Sequence, residues 1–356
     1  MDRREVLLSM LNPDGVGLEV GPSYSPLLPK SKGYNVEIFD HADGPALRKK
    51  YHDNASQIEE VDYVSDGRGL LDIIGKPGRY DYIVASHVIE HIPDIVRFIQ
   101  DCETLLKPGG VLVLAVPDKR YCFDTLRPVS TVGQTLQAYA EKRTRHPAGV
   151  VFDHMNSICT KADAIVWVEP TLDDLKFMYS PDAARDKYEE AQTTPDYLDT
   201  HGWQFTPTFF EYLIKTLRGL NFIKSGVQSL QTNVSTGLHE FYVSLSMSAQ
   251  TCLTSDLDLL RKAEREVRDI HVARIDAQRE TEELLRLRSG AERETGELMR
   301  LHSETERQTE ELVRLRSEAE RLRSESARFQ SENAALKAST SWRVTSPLRY
   351  LRTLLG

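Results

Sequence analysis

Two acids and a glycine near the start of this 356-residue chain have the types and spacing to hold a nucleoside. Gly17-Leu18-Glu19-Val20-Gly21-Pro22-Ser23 is an apolar stretch that ends in an acid and a glycine turn. Val36-Glu37-Ile38-Phe39-Asp40 ends in a second acid, about twenty residues beyond Gly21, as in nucleotide folds where a strand-end carboxylate accepts hydrogen bonds from both ribose hydroxyls. Gly21 has no side chain to keep a ligand away from the backbone. Glu19 at the strand end is placed to hold the ligand's polar groups, with Pro22 and Ser23 completing the turn. Ser23 and Ser25 stand where a dinucleotide fingerprint has glycines. G-x-G-x-x-G is therefore absent and a pyrophosphate reading loses support.

A third motif is Asp81-Tyr82-Ile83-Val84-Ala85-Ser86-His87-Val88-Ile89-Glu90-His91-Ile92-Pro93-Asp94, a buried strand followed by a loop with two histidines and an acid. His87 and His91 have the spacing of a helical metal pair. No third ligand is evident, so no metal is expected. Cys102, Cys122, Cys159 and Cys252 form no CxxC pair, which suggests neither a zinc knuckle nor a thioredoxin motif. They read as idle thiols in a reducing cytoplasm.

These groups need strands and helices to position them. Val16 to Val20, Asn35 to Phe39, Asp62 to Val64, Tyr82 to Ala85 and Val111 to Val116 read as strands, the last apolar enough for burial on both faces. Asp94 to Leu106 has helical periodicity, broken by Lys107-Pro108-Gly109-Gly110, where a glycine suits the C-terminal cap. Thr208 to Leu217 looks helical behind Thr206-Pro207, and Phe222 to Leu230 with Leu238 to Met247 looks like a closing antiparallel pair. Alternating strands and helices predict a parallel sheet covered on both faces. Residues 117–205 form a long, less regular insert, the kind of stretch that carries function or a lid.

Beyond about residue 255 the composition changes to Glu, Arg, Leu, Ser and Ala. Glu283-Leu284-Leu285-Arg286-Leu287-Arg288-Ser289 recurs from Glu297 and again from Glu311. Leu284, Leu298 and Leu312 share one heptad position and Leu287, Leu301 and Leu315 the other, with Ala291, Glu294, Thr305 and Gln308 between them. This predicts a coiled coil with a weakened core over residues 255–337. Residues 338–356 form a basic tail with Trp342, Tyr350 and several leucines. Lys+Arg 45 against Asp+Glu 54 gives a net charge of -9, which argues against nucleic acid as a partner. The N-terminus lacks the apolar length of a signal peptide, and no apolar run reaches the roughly 18 residues of a membrane span.

Taken together, Glu19-x-Gly21, Asp40, Ser86-His87-Val88-Ile89-Glu90-His91 and Leu106-Lys107-Pro108-Gly109-Gly110 resemble class I S-adenosylmethionine-dependent methyltransferases in order and spacing, over roughly residues 1–250. The resemblance implies an α/β fold, a doubly wound, seven-stranded Rossmann-like sheet with a reversed last strand. It also implies that Gly21 abuts the methionine part of S-adenosylmethionine, Asp40 binds its ribose, Asp66-Gly67 lies by the adenine, and Ser86-His87 floors the pocket. The Gly21-Pro22-Ser23 variant and Val116-Pro117-Asp118-Lys119-Arg120-Tyr121-Cys122-Phe123-Asp124 resemble a subgroup encoded with bacterial surface-polysaccharide genes. Asp153-His154 and His201-Gly202-Trp203-Gln204-Phe205-Thr206-Pro207 do so less specifically.

The resemblance implies methyl transfer to a sugar or glycolipid acceptor, at oxygen. Alignment of the acceptor behind a sulfonium methyl group can supply about 7–11 kcal/mol, and a sugar hydroxyl needs a base near neutrality. His154, oriented by Asp153, is the expected catalytic base, with His146 and His201 as rivals. Lys119, Arg120 and Arg127 are placed to hold an anionic acceptor. The coiled coil is expected to form a homo-oligomer. The tail is expected to rest on an anionic membrane or to dock on a polysaccharide-assembly protein, keeping a cytoplasmic enzyme at the inner membrane. A scaffold without activity, or a methyltransferase for a small molecule or a protein, are the other readings.

Overall fold

The computed structural model describes residues 2–161, 164–165, 175–232, 239–345 and 347–350. The chain divides into two compact units, Met1–Gln278 and Arg279–Gly356. The first unit begins with α1 (Arg3–Ser9), β1 (Gly17–Val20), β2 (Val36–Asp40), α2 (Gly44–Lys50), β3 (Tyr63–Val64) and α3 (Leu70–Ile74). β4 (Tyr80–Ser86), α4 (Ile95–Leu105) and β5 (Leu106–Pro117) follow. The insert supplies α5 (Val132–Ala140), α6 (Ala148–Met155), a small sheet of β6 (Cys159–Lys161), β7 (Ala164–Ile165) and β8 (Lys176–Phe177), and α7 (Pro181–Thr193). The chain then returns through α8 (Pro207–Gly219), β9 (Gly226–Gln231) and β10 (Glu240–Ser246).

The seven-stranded sheet has the order β3-β2-β1-β4-β5-β10-β9. β1 pairs in parallel with both β2 and β4, while β10 runs antiparallel to β5 and to β9. Strand order therefore reverses between β1 and β4, and in such sheets the ligand crevice opens at the carboxyl ends beside that reversal. Alternate side chains bury on opposite faces. Leu18, Val20, Ile83, Ala85 and Leu114 pack with Val96, Ile99, Phe210 and Leu213 of α4 and α8. Val36, Tyr82, Val84, Val113 and Ala115 pack with Val6 and Leu7 of α1. Each such aliphatic side chain contributes roughly 1.5–3 kcal/mol when fully buried.

Asp94 caps α4 by accepting from the Arg97 amide at 3.0 Å. The expected glycine cap at the other end is absent. Leu106 passes straight into β5, pairing with Tyr80, and the glycines fall in a register shift between the Tyr80 and Tyr82 pairings. Gly109 still needs its φ of +80° there. The expected closing strand pair is present as β9 and β10; Leu238, its expected start, lies outside the described residues.

α9 (Asp256–Ala338) is a single helix of 83 residues. Its first turns belong to the first unit, where Leu259 and Ala263 are buried and Glu266 accepts from the Thr208 hydroxyl and amide. Within the second unit the heptad leucines are exposed; Leu298 keeps 67% of its surface. α10 (Thr340–Val344) starts at a Ser339 cap, and Arg349 stacks 3.6 Å from the Trp342 ring centre. Ser346 and residues 351–356 of the expected tail lie outside the described residues. Among the described residues no helix is long and apolar enough to cross a membrane.

Candidate active site

The crevice begins at the turn after β1. Gly21 has a φ of +67°, and a Cβ there would stand 2.8 Å from the Val88 Cγ2, so glycine lets this turn lie against the loop after β4. Ser23 also takes a positive φ, +49°, and its amide donates to the Asp40 carboxylate at 2.8 Å. The other Asp40 oxygen accepts from the His41 amide at 2.7 Å and meets the His41 ring at 2.6 Å. Asp40 is 1% exposed. The two acid-bearing strand ends and the glycine turn thus form one hydrogen-bonded unit. The oxygen facing His41 already meets two His41 nitrogens, while the other accepts from Ser23 and keeps one lone pair for a ribose hydroxyl. Asp66 lies on the loop after β3, at the same sheet edge, where it is exposed and pairs with Arg68 at 2.7 Å.

Glu19 departs from expectation. Its two oxygens accept from the amides of Leu27 and Leu28, at 2.6 and 3.1 Å, on the face opposite Leu18 and Val20. Instead of holding the ligand it anchors the loop that carries Pro22 and Ser23. Burial pushes its carboxyl up to about 7, against the pull of those amides.

The floor is the end of β4. His87 has a φ of +54° and sets its Nε2 2.8 Å from Glu240 at the start of β10. Glu240 also accepts from Arg3 Nε and the Tyr242 hydroxyl, each at 2.6 Å, while Arg3 reaches on to the Ser86 hydroxyl. α1 is thereby tied to both Ser86 and His87. Burial alone would raise the Glu240 carboxyl; His87 and Arg3 instead hold it at about 2.

Next to this floor the insert brings in a histidine-rich cluster. Backbone carbonyls of the β4 loop receive it: Gly202 donates its amide to the Glu90 carbonyl at 2.7 Å, and Tyr197 its hydroxyl to that of His91 at 3.1 Å. Trp203 Nε1 bonds the Ile92 carbonyl at 2.6 Å and His146 Nε2 meets the His91 carbonyl at 2.9 Å. The His91 and His201 rings meet edge to face, 4.7 Å between centres. Asp199 lies 2.8 Å from His91 Nδ1, and Asp124 lies 3.4 Å from His201 Nδ1. Burial would raise the Asp124 carboxyl, but His201 and Arg127 beside it hold it well below the usual carboxylate range. Glu90 is 1% exposed and, among the described residues, neither of its oxygens has a hydrogen-bond partner; its ion-pair contacts there are His87 Nδ1 at 3.6 Å and His91 Nε2 at 3.7 Å.

The expected Asp153–His154 couple is not formed. Successive helical residues diverge by about 100°, so Asp153 is exposed on α6 while His154 points inward, its ring centre 5.6 Å from that of His201. Burial, with His201 adding to it, pushes His154 down to about 3, too weak a base for a hydroxyl proton near neutrality. Burial takes His146 down to about 4 and leaves it a packing role against Gly202. The expected anion cradle is internal as well: Lys119 donates to the Thr125 carbonyl, Arg120 pairs with Asp118, and Arg127 donates to the His201 carbonyl. Sequence reasoning missed Asp124, Asp199 and Glu240 as site residues. Asp124 closes a motif that had been singled out, but Asp199 and Glu240 carry no local signal.

Residues 2–167 match a family model described as a methyltransferase domain. Curated relatives include a ubiquinone biosynthesis O-methyltransferase of Azotobacter vinelandii, 34% identical over 79 residues, 22% of this chain and 33% of that protein. A protein of the same name from Xanthomonas campestris is 42% identical over 84 residues, 23% of this chain and 34% of its own. The chain thus spans about a third of the length of the curated relatives it matches. Among solved structures, an S-adenosylmethionine dependent methyltransferase from Mesorhizobium loti aligns with 68% of this chain and 95% of its own, at 12% identity and a TM-score of 0.36. The CcbJ methyltransferase from Streptomyces caelestis aligns with 69% and 89%, at 12% identity and a TM-score of 0.37. Residues 2–167 are thus similar to a methyltransferase domain, and they carry five of the seven strands of the β3-β2-β1-β4-β5-β10-β9 sheet.

Proposed function

We propose that the protein is an S-adenosylmethionine-dependent methyltransferase that O-methylates a sugar of a bacterial surface polysaccharide or of its lipid-linked precursor. The observation that carries the reading is the unit made by Gly21, Ser23 and Asp40 at the strand-order reversal of a matched methyltransferase domain. When bound there, the cofactor supplies an electrophilic methyl group. The chain's own task is to orient an acceptor over the β4 floor and to deal with the acceptor's proton. Asp40 and the turn hold the nucleoside end. Ser86 and His87, fixed by Arg3 and Glu240, set the floor, and the insert closes the acceptor side. The cluster of Glu90, His91, Asp124 and His201 takes over the duty expected of Asp153 and His154.

The sugar assignment is supported by the polysaccharide-subgroup motifs. The curated relatives match only a short stretch of the domain and therefore speak for the cofactor more than for the acceptor. Oligomerisation through the heptad leucines, with a second copy of the chain as partner, is part of the same reading. So is attachment of the Trp342–Arg349 tail at the inner membrane or on an assembly protein. A scaffold that does not bind the cofactor is the second reading; it is favoured by the burial of Asp40, whose two oxygens already accept protein amides.

Calorimetry with S-adenosylmethionine decides between them. Binding by the wild type that is lost in Asp40→Ala is expected. No binding, or unchanged binding in the variant, overturns the enzyme reading. Labelled cofactor incubated with cell-envelope glycolipid should label glycan; label in protein alone discards the sugar.

A further inference from the structure

We propose that Glu90, His91 and His201 bind a divalent first-row transition cation such as zinc, on the acceptor side of the crevice. One ligand atom from each of the three lies within 4.8 Å of the others. Two independent features point to a cation. The first is Glu90, a carboxylate 1% exposed whose two oxygens have no hydrogen-bond partner among the described residues. Leaving an ionised carboxylate buried and unpaired is strongly unfavourable. Among the described residues its only basic neighbours within ion-pair distance are the imidazoles of His87 and His91.

The second feature is the support behind the histidines. Asp199 lies against His91 Nδ1 and Asp124 against His201 Nδ1. Histidines that ligate metals commonly donate their other N–H to a carboxylate, which fixes the ring and raises its basicity. Both histidines have a carboxylate beside that nitrogen, at 2.8 and 3.4 Å. Two imidazoles and one carboxylate suit zinc, iron, manganese or nickel and leave coordination positions open.

The other titratable clusters lack this combination. Glu240, beside His87 and His239, is already satisfied by Arg3, Tyr242 and His87. Asp124, beside Cys122 and His201, has Gln204 and Arg127 on its Oδ2, so that only its Oδ1 is without a hydrogen-bond partner among the described residues, whereas Glu90 lacks one on both oxygens. The sequence reading left His87 and His91 without a third ligand. His201 supplies it from the far end of the insert, while His87 turns away to Glu240.

The role of the cation rests on the methyl-transfer reading. An acceptor hydroxyl on an open position becomes more acidic, as metal-bound water does, and releases its proton to solvent. Val88, two residues before Glu90, lies against the turn at Gly21, which puts the loop that carries Glu90 and His91 beside the proposed cofactor site.

The test is a cobalt(II) titration of the full chain after chelator treatment, read by visible ligand-field absorption, with zinc as competitor. One equivalent of cobalt is expected to bind, and zinc to displace it. Glu90→Gln and His201→Ala should abolish the band. Asp199→Asn, at an exposed orienting residue, should weaken binding about 10–100-fold. Circular dichroism of each variant shows that it is folded, and Asp199→Asn keeps the test decisive should Glu90→Gln unfold. No band in the wild type, or equal binding by Glu90→Gln and Asp199→Asn, overturns the proposal. Calorimetry with S-adenosylmethionine separates the two readings: cobalt bound without cofactor leaves the metal site standing and removes the enzyme. Cofactor bound without cobalt does the reverse.

Discussion

Replacing Glu240 by Gln tests the electrostatic tie that holds the floor of the crevice. The side chain is buried, and Arg3 and His87 hold its carboxyl at about 2, against 4.5 for a free glutamate. At about 1.36 kcal/mol per pKa unit, the difference is worth about 3 kcal/mol of folding stability. The sign follows from the depressed value. The unfolded chain takes up the proton first as pH falls, so the stabilisation is complete above 4.5 and drains away as pH drops toward 2. The glutamine variant keeps the shape but has nothing to titrate. Urea unfolding of both proteins, followed by circular dichroism at neutrality and at about pH 3.5, should show the wild type losing about 1–1.5 kcal/mol more than the variant. Other acids titrate in the same window in both proteins and cancel in the difference. Parallel losses would show that Glu240 gains nothing from Arg3 and His87, and that the β4 loop is held by something else.

Gly21→Ala adds a Cβ against Val88 at a φ of +67°. The strain costs about 1–2 kcal/mol in the free protein as well and should appear in urea unfolding, while the methyl's push on the turn should weaken cofactor binding by calorimetry; unchanged affinity would remove the turn from the site. Gly202→Ala drives its methyl into the His146 ring. It should destabilise the first unit by about 1–3 kcal/mol in thermal unfolding, with His146→Ala restoring part of the loss; no loss would mean that the insert does not dock through this contact. A chain ending at Gln278 should sediment as a folded monomer while the full chain sediments as an oligomer. Identical behaviour of the two would rule out the heptad leucines as the contact.

What the sequence disclosed follows from how local each signal is. The β4 and β5 strands, α4 and the closing pair were legible because apolar runs and caps are properties of neighbouring residues. The end of β2 at Asp40 was legible because the apolar run before it stops there, although the link from β1 holds only a short helical turn, Lys30–Lys32, and no α-helix. The missing glycine cap after α4 shows the limit: Gly109 signals a positive φ, and whether that ends a helix or shifts a strand depends on Tyr80 pairing with Leu106. Glu19 looked like a ligand contact because nothing local reveals that Leu27 and Leu28 fold back to take both oxygens. Asp153 next to His154 looked like a couple. On a helix, adjacent residues face different ways, and the aspartate that accompanies the buried histidines is Asp124.

The insert's mode of attachment explains why the acceptor side could not be read from sequence and how it could still be specific. Gly202, Tyr197, Trp203 and His146 all bond carbonyls of residues 90–92. Backbone carbonyls are present whatever the side chains, so this docking puts no demand on residue type at Glu90 or His91. Their side chains are left to meet His201 and Asp199 instead. The four contacts converge on one short turn, from His146 and from the Tyr197–Trp203 end of the insert. Docking and chemistry are thereby divided between backbone and side chain of the same three residues. On the proposed methyl-transfer reading, a change in the insert would alter which acceptor fits without disturbing the Gly21–Asp40 turn, and loss of the Glu90 carboxylate would abolish the chemistry while the insert stays docked.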